Sequence, residues 1–406
     1  MLDERHKPQF IATWQQLVRI PSRSSPTGGE EGVIQEMIAG ELRRVGARVR
    51  IFTADEVPGF RNHPLCHGPQ RDYGNRPTVI AEMGPPAAPA LLIAAHADTV
   101  QLDCTRPASE WMVDPFGGEI RDGNLFGLGS GDDKWGLATM LTLARTLGDK
   151  RSLTRRVIFA STIDEEHGVG NGMLLLMLAG VQAEMCLYLD GGEGDIAIGL
   201  LGGSNLILRP AAPLSAATLD EHAARLEALA RQLSAQRVGL FDIPLYRENH
   251  VRERSVGFRR ARDAGGEFFR LPFYTLPGEA RAPFSATLEE AVRGALGADA
   301  ACYHFSYREP WFEATRVPLD APVVRLMAAA WRCVVGREAK FNTSSKQDSF
   351  ILNNYARIPT VGFGAARFTG YGAYHQPDEN VSIDFGWQCC QVVHEAMCLW
   401  LAGKGG

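Results

Sequence analysis

The sequence predicts an α/β protein, a mixed sheet sandwiched by helices, with a smaller ferredoxin-like α+β domain inserted into it. Three observations lead there. Strands alternate with helices as far as Leu189, the pattern of a sheet covered on both sides. From Ile196 to Pro310 the order becomes βαββαβ, a ferredoxin-like unit. At 406 residues the chain also exceeds what one core usually supports, so we expect a first domain over 1–195 and 311–406 and an insertion over 196–310.

The chain is expected to open with an amphipathic helix near Pro8 to Arg19, a turn rich in Ser, Pro and Gly, a helix near Glu30 to Val45 and a strand near Arg48 to Phe52. Residues Asp55 to Pro77, rich in Pro, Gly, His and Asn, read as a loop insertion. Thr78 to Ala81 and Ala90 to Ala95 read as neighbouring strands, the second buried on both faces. Leu137, Met140, Leu141 and Ala144 recur at helical spacing, and a strand near Arg156 to Ser161 follows. The insertion is expected to hold strands near Ile196 to Leu208, Arg254 to Arg260, Glu267 to Tyr274 and Ala301 to Arg308, with helices near Leu219 to Leu233 and Ser285 to Leu296. A helix near Val323 to Val335, a strand near Thr360 to Phe363 and a helix near Trp387 to Leu401 return to the first domain.

Composition narrows the function classes. With 45% hydrophobic and 22% charged residues the chain is an ordinary globular protein, not a disordered or fibrous one. A net charge of -5 offers no basic field for nucleic acid, and the basic run Arg252 to Arg262 reads as a solvated face. No apolar stretch follows the mixed charges of Met1 to Lys7, so no secretory signal is expected. The longest apolar run, Met173 to Val181, falls far short of the roughly 18 to 20 residues of a membrane span. The eight cysteines are scattered without a Cys-x-x-Cys pair, which fits free thiols and a cytoplasmic location.

The chemistry-bearing residues lie at strand ends. The strand through Ala94 and Ala95 runs into His96-Ala97-Asp98, a spacing that suits a metal ligand and a carboxylate orienting it, or a hydrogen-bonded loop pair. Gly127, Gly129 and Gly131 let the backbone bend so that Asp132 is presented just before a helix, where a carboxylate can bridge two cations; alternatively Asp132 or Asp133 is an N-cap. Walker spacing is absent, and two aspartates would repel a phosphate. Asp164-Glu165-Glu166 end a buried strand, where three acids need a positive partner that a metal supplies, an acidic helix N-terminus being the alternative for one of the glutamates. Glu165 and Glu166 point in different directions from a strand end, so one can bind metal while the other holds a water. Asp190 ends another apolar strand, and Tyr374-His375 with Asp378-Glu379 stand near the C-terminus. Such oxygen and nitrogen donors suit zinc, manganese or cobalt.

Taken in order, these motifs resemble the dinuclear metal aminoacylases and exopeptidases, the family of carboxypeptidase G, acetylornithine deacetylase, succinyl-diaminopimelate desuccinylase and the tripeptide aminopeptidase. The resemblance covers essentially the full length, and the Gly-x-Gly-x-x-Asp-x-Lys-x-Gly signature is met by Gly127 to Gly136. It implies a zinc-exopeptidase-like catalytic domain with a lid and dimerisation insertion, one or two divalent metal ions, and a homodimer acting on a small molecule. It further implies His96 and Asp190 on one metal, Glu166 and His375 on the other, Asp132 bridging, Asp98 orienting His96, Glu165 as general base, and a cis peptide between Asp132 and Asp133.

The chain departs from the family in the insertion. Arg209 to Thr218 contains no histidine where relatives carry an oxyanion-stabilising one, a donor worth roughly 3 to 4 kcal/mol. His222, within the following helix, reads as a surface residue. The family's Asp-x-Arg-x-x-Pro-Gly strand appears as Pro272 to Gly278 with Tyr274 at the arginine's place. His250, Arg259, Arg260, Tyr274, Arg308 and Tyr374 are candidate substrate contacts, each weighed against ordinary surface polarity. The leading expectation is hydrolysis of an amide in a small N-acyl amino acid or dipeptide-like molecule. Alternatives are hydrolytic deamination of an activated arylamine and a non-catalytic binding protein on the same scaffold.

Overall fold

The computed structural model describes residues 2–148, 153–244, 248–345 and 347–403. Two compact units emerge: Met1–Ile198 with Val317–Phe341 and Gln347–Gly406, and Gly199–Arg316 with Asn342–Lys346. The second unit thus runs past residue 310, and the chain returns to it after Phe341.

In the first unit every residue of Ala90–His96 is buried, as an apolar run without alternation requires. It takes the middle of the sheet, parallel to Arg156–Thr162 on one side and to Met185–Tyr188 on the other. The order is Arg48–Phe52, Thr78–Met83, Arg156–Thr162, Ala90–His96, Met185–Tyr188, Thr360–Gly362. The expected adjacency of the strands near 78 and 90 is therefore wrong, because Arg156–Thr162 lies between them. Thr78–Met83, with half-exposed Glu82, pairs antiparallel toward the edge and leaves the central place to the wholly apolar strand. His96 pairs with Thr162 and Ala94 with Tyr188, so three strands end together and the residues that follow them gather at one carboxyl edge.

Helices Lys7–Val18, Lys134–Gly148, Pro322–Val335 and Ile383–Leu401 bury apolar faces in one core. Trp14 joins this core to the glycine segment, since its fully buried indole donates from Nε1 to the Ser130 carbonyl at 2.8 Å. Among the described residues no helix is long and apolar enough to cross a membrane.

The second unit is an antiparallel sheet in the order Tyr303–Tyr307, Ile196–Pro210, Gly266–Thr275, Arg259–Asp263. Helices Ala216–Arg237 and Arg281–Leu296 cover one face, packing Leu226, Leu229 and Val292 against Leu206, Leu208, Phe269 and Leu271. With the connecting order βαββαβ this is the ferredoxin-like arrangement. The strand expected from Arg254 begins only at Arg259. Pro272 on the facing strand has no N–H to donate, so this stretch keeps an isolated bridge between Val256 and Phe273, with bonds from Gly257 N to Pro272 O and from Tyr274 N to Ser255 O. His222 is likewise not a surface residue: it is 2% exposed, with Nδ1 at 2.8 Å from the Tyr303 hydroxyl and Nε2 at 3.2 Å from Asp299.

Replacing Trp14 by alanine is expected to cost about 3 to 5 kcal/mol in urea unfolding. Trp14→Phe should cost less but measurably, because it strands the Ser130 carbonyl; a phenylalanine variant as stable as the parent would contradict this.

Candidate metal centre

Gly127 (φ 143) and Gly129 (φ 77) hold backbone conformations that side chains resist, and they turn the chain into Asp132. The Asp132–Asp133 peptide is cis. Asp133 then takes the capping role: its Oδ1 accepts from Gly136 N at 3.1 Å and its Oδ2 from His96 N at 3.3 Å. A side chain at Gly136 would collide with that carboxylate, which explains the glycine closing the signature.

Asp132 is left facing inward. Its Oδ1 lies 2.9 Å from His96 Nε2 and its Oδ2 lies 3.2 Å from His375 Nε2. His375, in the left-handed region at φ 59, also meets Glu166 Oε2 at 3.0 Å. Two donor groups result, His96 with Asp132 and Asp190, and Asp132 with Glu166 and His375, each with ligand atoms within 4.8 Å of one another. Asp132 belongs to both, so the five residues expected as ligands converge.

The electrostatics fit cations. Burial, and after it the charge of Asp190, pushes the Glu165 carboxyl well above the usual carboxylate range. Burial likewise raises Glu166, and it carries Asp190 up to about 7. Burial works against His96, yet the carboxylates of Asp132 and Asp98 hold it well above an ordinary histidine. Crowded acids with two imidazoles, oxygen and nitrogen donors only, are a donor set for divalent metal ions of the zinc, manganese and cobalt kind.

Three expectations change in detail. Asp98 orients His96 chiefly through its backbone carbonyl, 2.9 Å from Nδ1, whereas its carboxylate stands 3.6 Å away. That carboxylate instead accepts the N–H groups of Glu165 and Glu166, each at 3.0 Å. Those glutamates do not project from a strand; they open the short helix Glu165–Gly168 behind Asp164, which is left-handed at φ 64. And the positive partner of Asp164 is not a metal. Arg71 and Arg76, buried with it, bind Asp164 Oδ1, Tyr73 and Asn171 bind Oδ2, and Glu31 balances Arg76. The stretch expected as a loop insertion therefore supplies the side chains behind the glutamate pair.

Glu379 has a role that its place in the sequence does not assign. Its buried carboxylate accepts the N–H groups of Gly129 at 2.9 Å, Gly131 at 2.8 Å and Asp132 at 3.1 Å. No local signal marks this role, because Gly129 lies 250 residues from Glu379 along the chain. Asp348, also missed, is buried near the charges of Asp190 and Glu165 and is raised to about 6, mainly by burial. Of the candidate substrate contacts, Tyr374 packs edge-on against His375 with ring centroids 4.8 Å apart. Tyr274, Arg259, Arg260 and Arg308 lie in the second unit, and Arg260 is held by Asp220 and Glu267. The side chain of His250 lies outside the described residues.

An α/β scaffold presenting a shared aspartate between two histidine-carboxylate groups defines a metal-dependent hydrolase. Residues 92–398 match Peptidase family M20/M25/M40, and the chain belongs to that family, whose metallopeptidases and deacylases hydrolyse amide bonds. It is 24% identical over 398 residues to an acetylornithine deacetylase of Edwardsiella ictaluri, covering 93% of this chain and 94% of the relative. Its fold resembles the M20 family metallo-carboxypeptidase Sso-CP2 of Sulfolobus solfataricus, with a TM-score of 0.70, 18% identity, and 99% and 100% of the two chains covered. It also resembles a dinuclear metal binding peptidase of Bacillus subtilis, with a TM-score of 0.63, 16% identity, and 98% and 99% covered.

Glu379→Ala removes the acceptor of three amides and is expected to lower metal affinity about 10- to 100-fold in chelator competition; unchanged affinity would count against the clamp. Metal-stripped protein should show an inverted pH response. Glu379 and Asp190 are raised, mainly by burial, to about 7, so between about pH 4.5 and 7 the folded state holds protons that the unfolded state releases. Stability should fall as pH rises through that window, and bound metal should flatten the slope; a rising curve in the stripped protein would refute this.

Proposed function

We propose that this protein hydrolyses the amide bond of a small N-acyl amino acid or dipeptide-like substrate. The observation that carries the reading is Asp132 standing between His96 and His375, one carboxylate oxygen toward each. His96 and Asp190 would hold one divalent cation and Glu166 and His375 a second, with Asp132 common to both. Zinc is the first choice of metal, with manganese and cobalt as alternatives. When bound, such ions lower the pKa of water and polarise the scissile carbonyl.

Glu165 is assigned as general base. It stands outside both donor groups, next in sequence to Glu166, and Asp98 holds its backbone N–H. Its carboxyl, with raised proton affinity, takes a proton from the attacking water and delivers it to the leaving nitrogen. Asp98 and the Asp164 network fix the turn from which the base projects. The activities of the relatives, a deacetylase and a carboxypeptidase, support an amide as the bond broken. A homodimer through the second unit is part of the same reading, and light scattering near twice 44.4 kDa is the expected result; the mass of a single chain would contradict it.

The absence of a histidine in Arg209 to Thr218 favours a second reading, hydrolytic deamination of an activated arylamine. Product analysis separates the two, because ammonia without a carboxylic acid excludes the amidase. Glu165→Gln should keep its metal content by elemental analysis and lose at least about 100-fold in kcat on a panel of N-acyl amino acids and dipeptides. Near-parental turnover would remove Glu165 from the base role.

A further inference from the structure

In the second unit, arginines are ordinarily matched to acids. Arg209 meets Asp263, Arg225 meets Glu221 and Asp299, Arg237 meets Glu279, and Arg281 meets Glu309, all within ion-pair distance. One cluster breaks the pattern. On Gly266–Thr275, Phe269 and Leu271 enter the core beneath the helices, so Arg270 between them projects from the opposite face. Arg259 is its direct cross-strand partner, a like-charge pairing that destabilises a sheet when left alone. Arg308 joins them through the neighbouring strand: its N–H bonds Asn205 O, while Asn205 Oδ1 accepts from Arg270 Nη2 at 3.0 Å. Among the described residues no carboxylate lies within ion-pair distance of Arg259, Arg270 or Arg308.

Arg270 carries the cost of this arrangement. It is half-buried, and its Nε is enclosed without a hydrogen-bond partner. Burial, then the charges of Arg308 and Arg259, hold its guanidinium below an ordinary arginine. Three neighbouring guanidiniums supply many planar donors and no acceptor, the chemistry that matches a compact oxyanion in forked pairs.

We propose that Arg259, Arg270 and Arg308 form a binding site for a compact oxyanion of two negative charges, a dicarboxylate or a tetrahedral anion, on the face of the second unit's sheet opposite its helices. The anion relieves the repulsion within the cluster, and the half-buried Arg270 sits at the centre of the contact. None of its three arginines belongs to the donor groups around Asp132.

The test uses the metal-loaded full chain, with succinate and inorganic sulfate as probes because both chelate metals weakly. Titration calorimetry should give saturable binding, weakened at least about 10-fold in Arg270→Gln and in Arg308→Gln. Arg209→Gln, at an arginine already matched by Asp263, is the control and should leave it unchanged. No saturable binding to the parent protein, or parental affinity in both cluster variants, overturns the proposal. Arg308 is exposed, so its variant answers even if Arg270→Gln folds poorly. Initial-rate kinetics then identify the source of the anion. Succinate that competes with substrate in the parent but not in Arg308→Gln marks the substrate's own anionic group; succinate that binds without raising KM marks a separate effector. Either result supports the site.

Discussion

The carboxylate of Glu379 is the contact on which the metal centre rests. Three amide N–H groups of the glycine segment converge on it, from Gly129, Gly131 and Asp132, and Gly127 N bonds its carbonyl. Glycines make that convergence sterically available, and the acid makes it favourable by meeting donors that burial would otherwise leave unpaired. Glu379 follows His375 by only a few residues, so one short stretch of chain carries a histidine and also secures the loop presenting the aspartate to that histidine. Asp132 and His375 are thereby placed by a single local device, although they lie far apart in sequence.

A second device acts on the other side of the site. Asp164 adopts a left-handed conformation just before the glutamate pair, and its carboxylate is matched by Arg71, Arg76, Tyr73 and Asn171. Buried charges of this kind persist only when paired and hydrogen-bonded, and here two arginines answer two acids. Because this local set is balanced by itself, the acids left facing the centre are those of the donor groups and Glu165 with its neighbour Asp348. Protons or cations must meet that remaining charge, which is why the raised carboxyls and histidines occur together.

Much of the site was legible as ordered motifs, because strand ends, glycine spacing and charge leave marks within a few residues. His96, Asp190 and His375 carry such marks; the choice of Asp132 over Asp133 and of Glu166 over Glu165 as ligands comes from the family resemblance, and the structure brings the five together. The roles of Arg71, Arg76 and Glu379 were not legible, since each acts on residues far along the chain and looks locally like an ordinary loop or surface charge. His222 shows the same limit in reverse: a polar residue in a helix reads as exposed until Tyr303 and Asp299 are found beside it.

The sequence by itself determined the alternation of strands and helices, the βαββαβ insertion and the identity of the donor atoms, since periodicity and side-chain chemistry are local properties. Only the tertiary structure decided that Arg156–Thr162 separates the strands at 78 and 90, that Asp98 caps a helix, and that arginines rather than a metal neutralise Asp164. Those outcomes depend on which distant groups meet in space, and packing settles that where spacing along the chain does not.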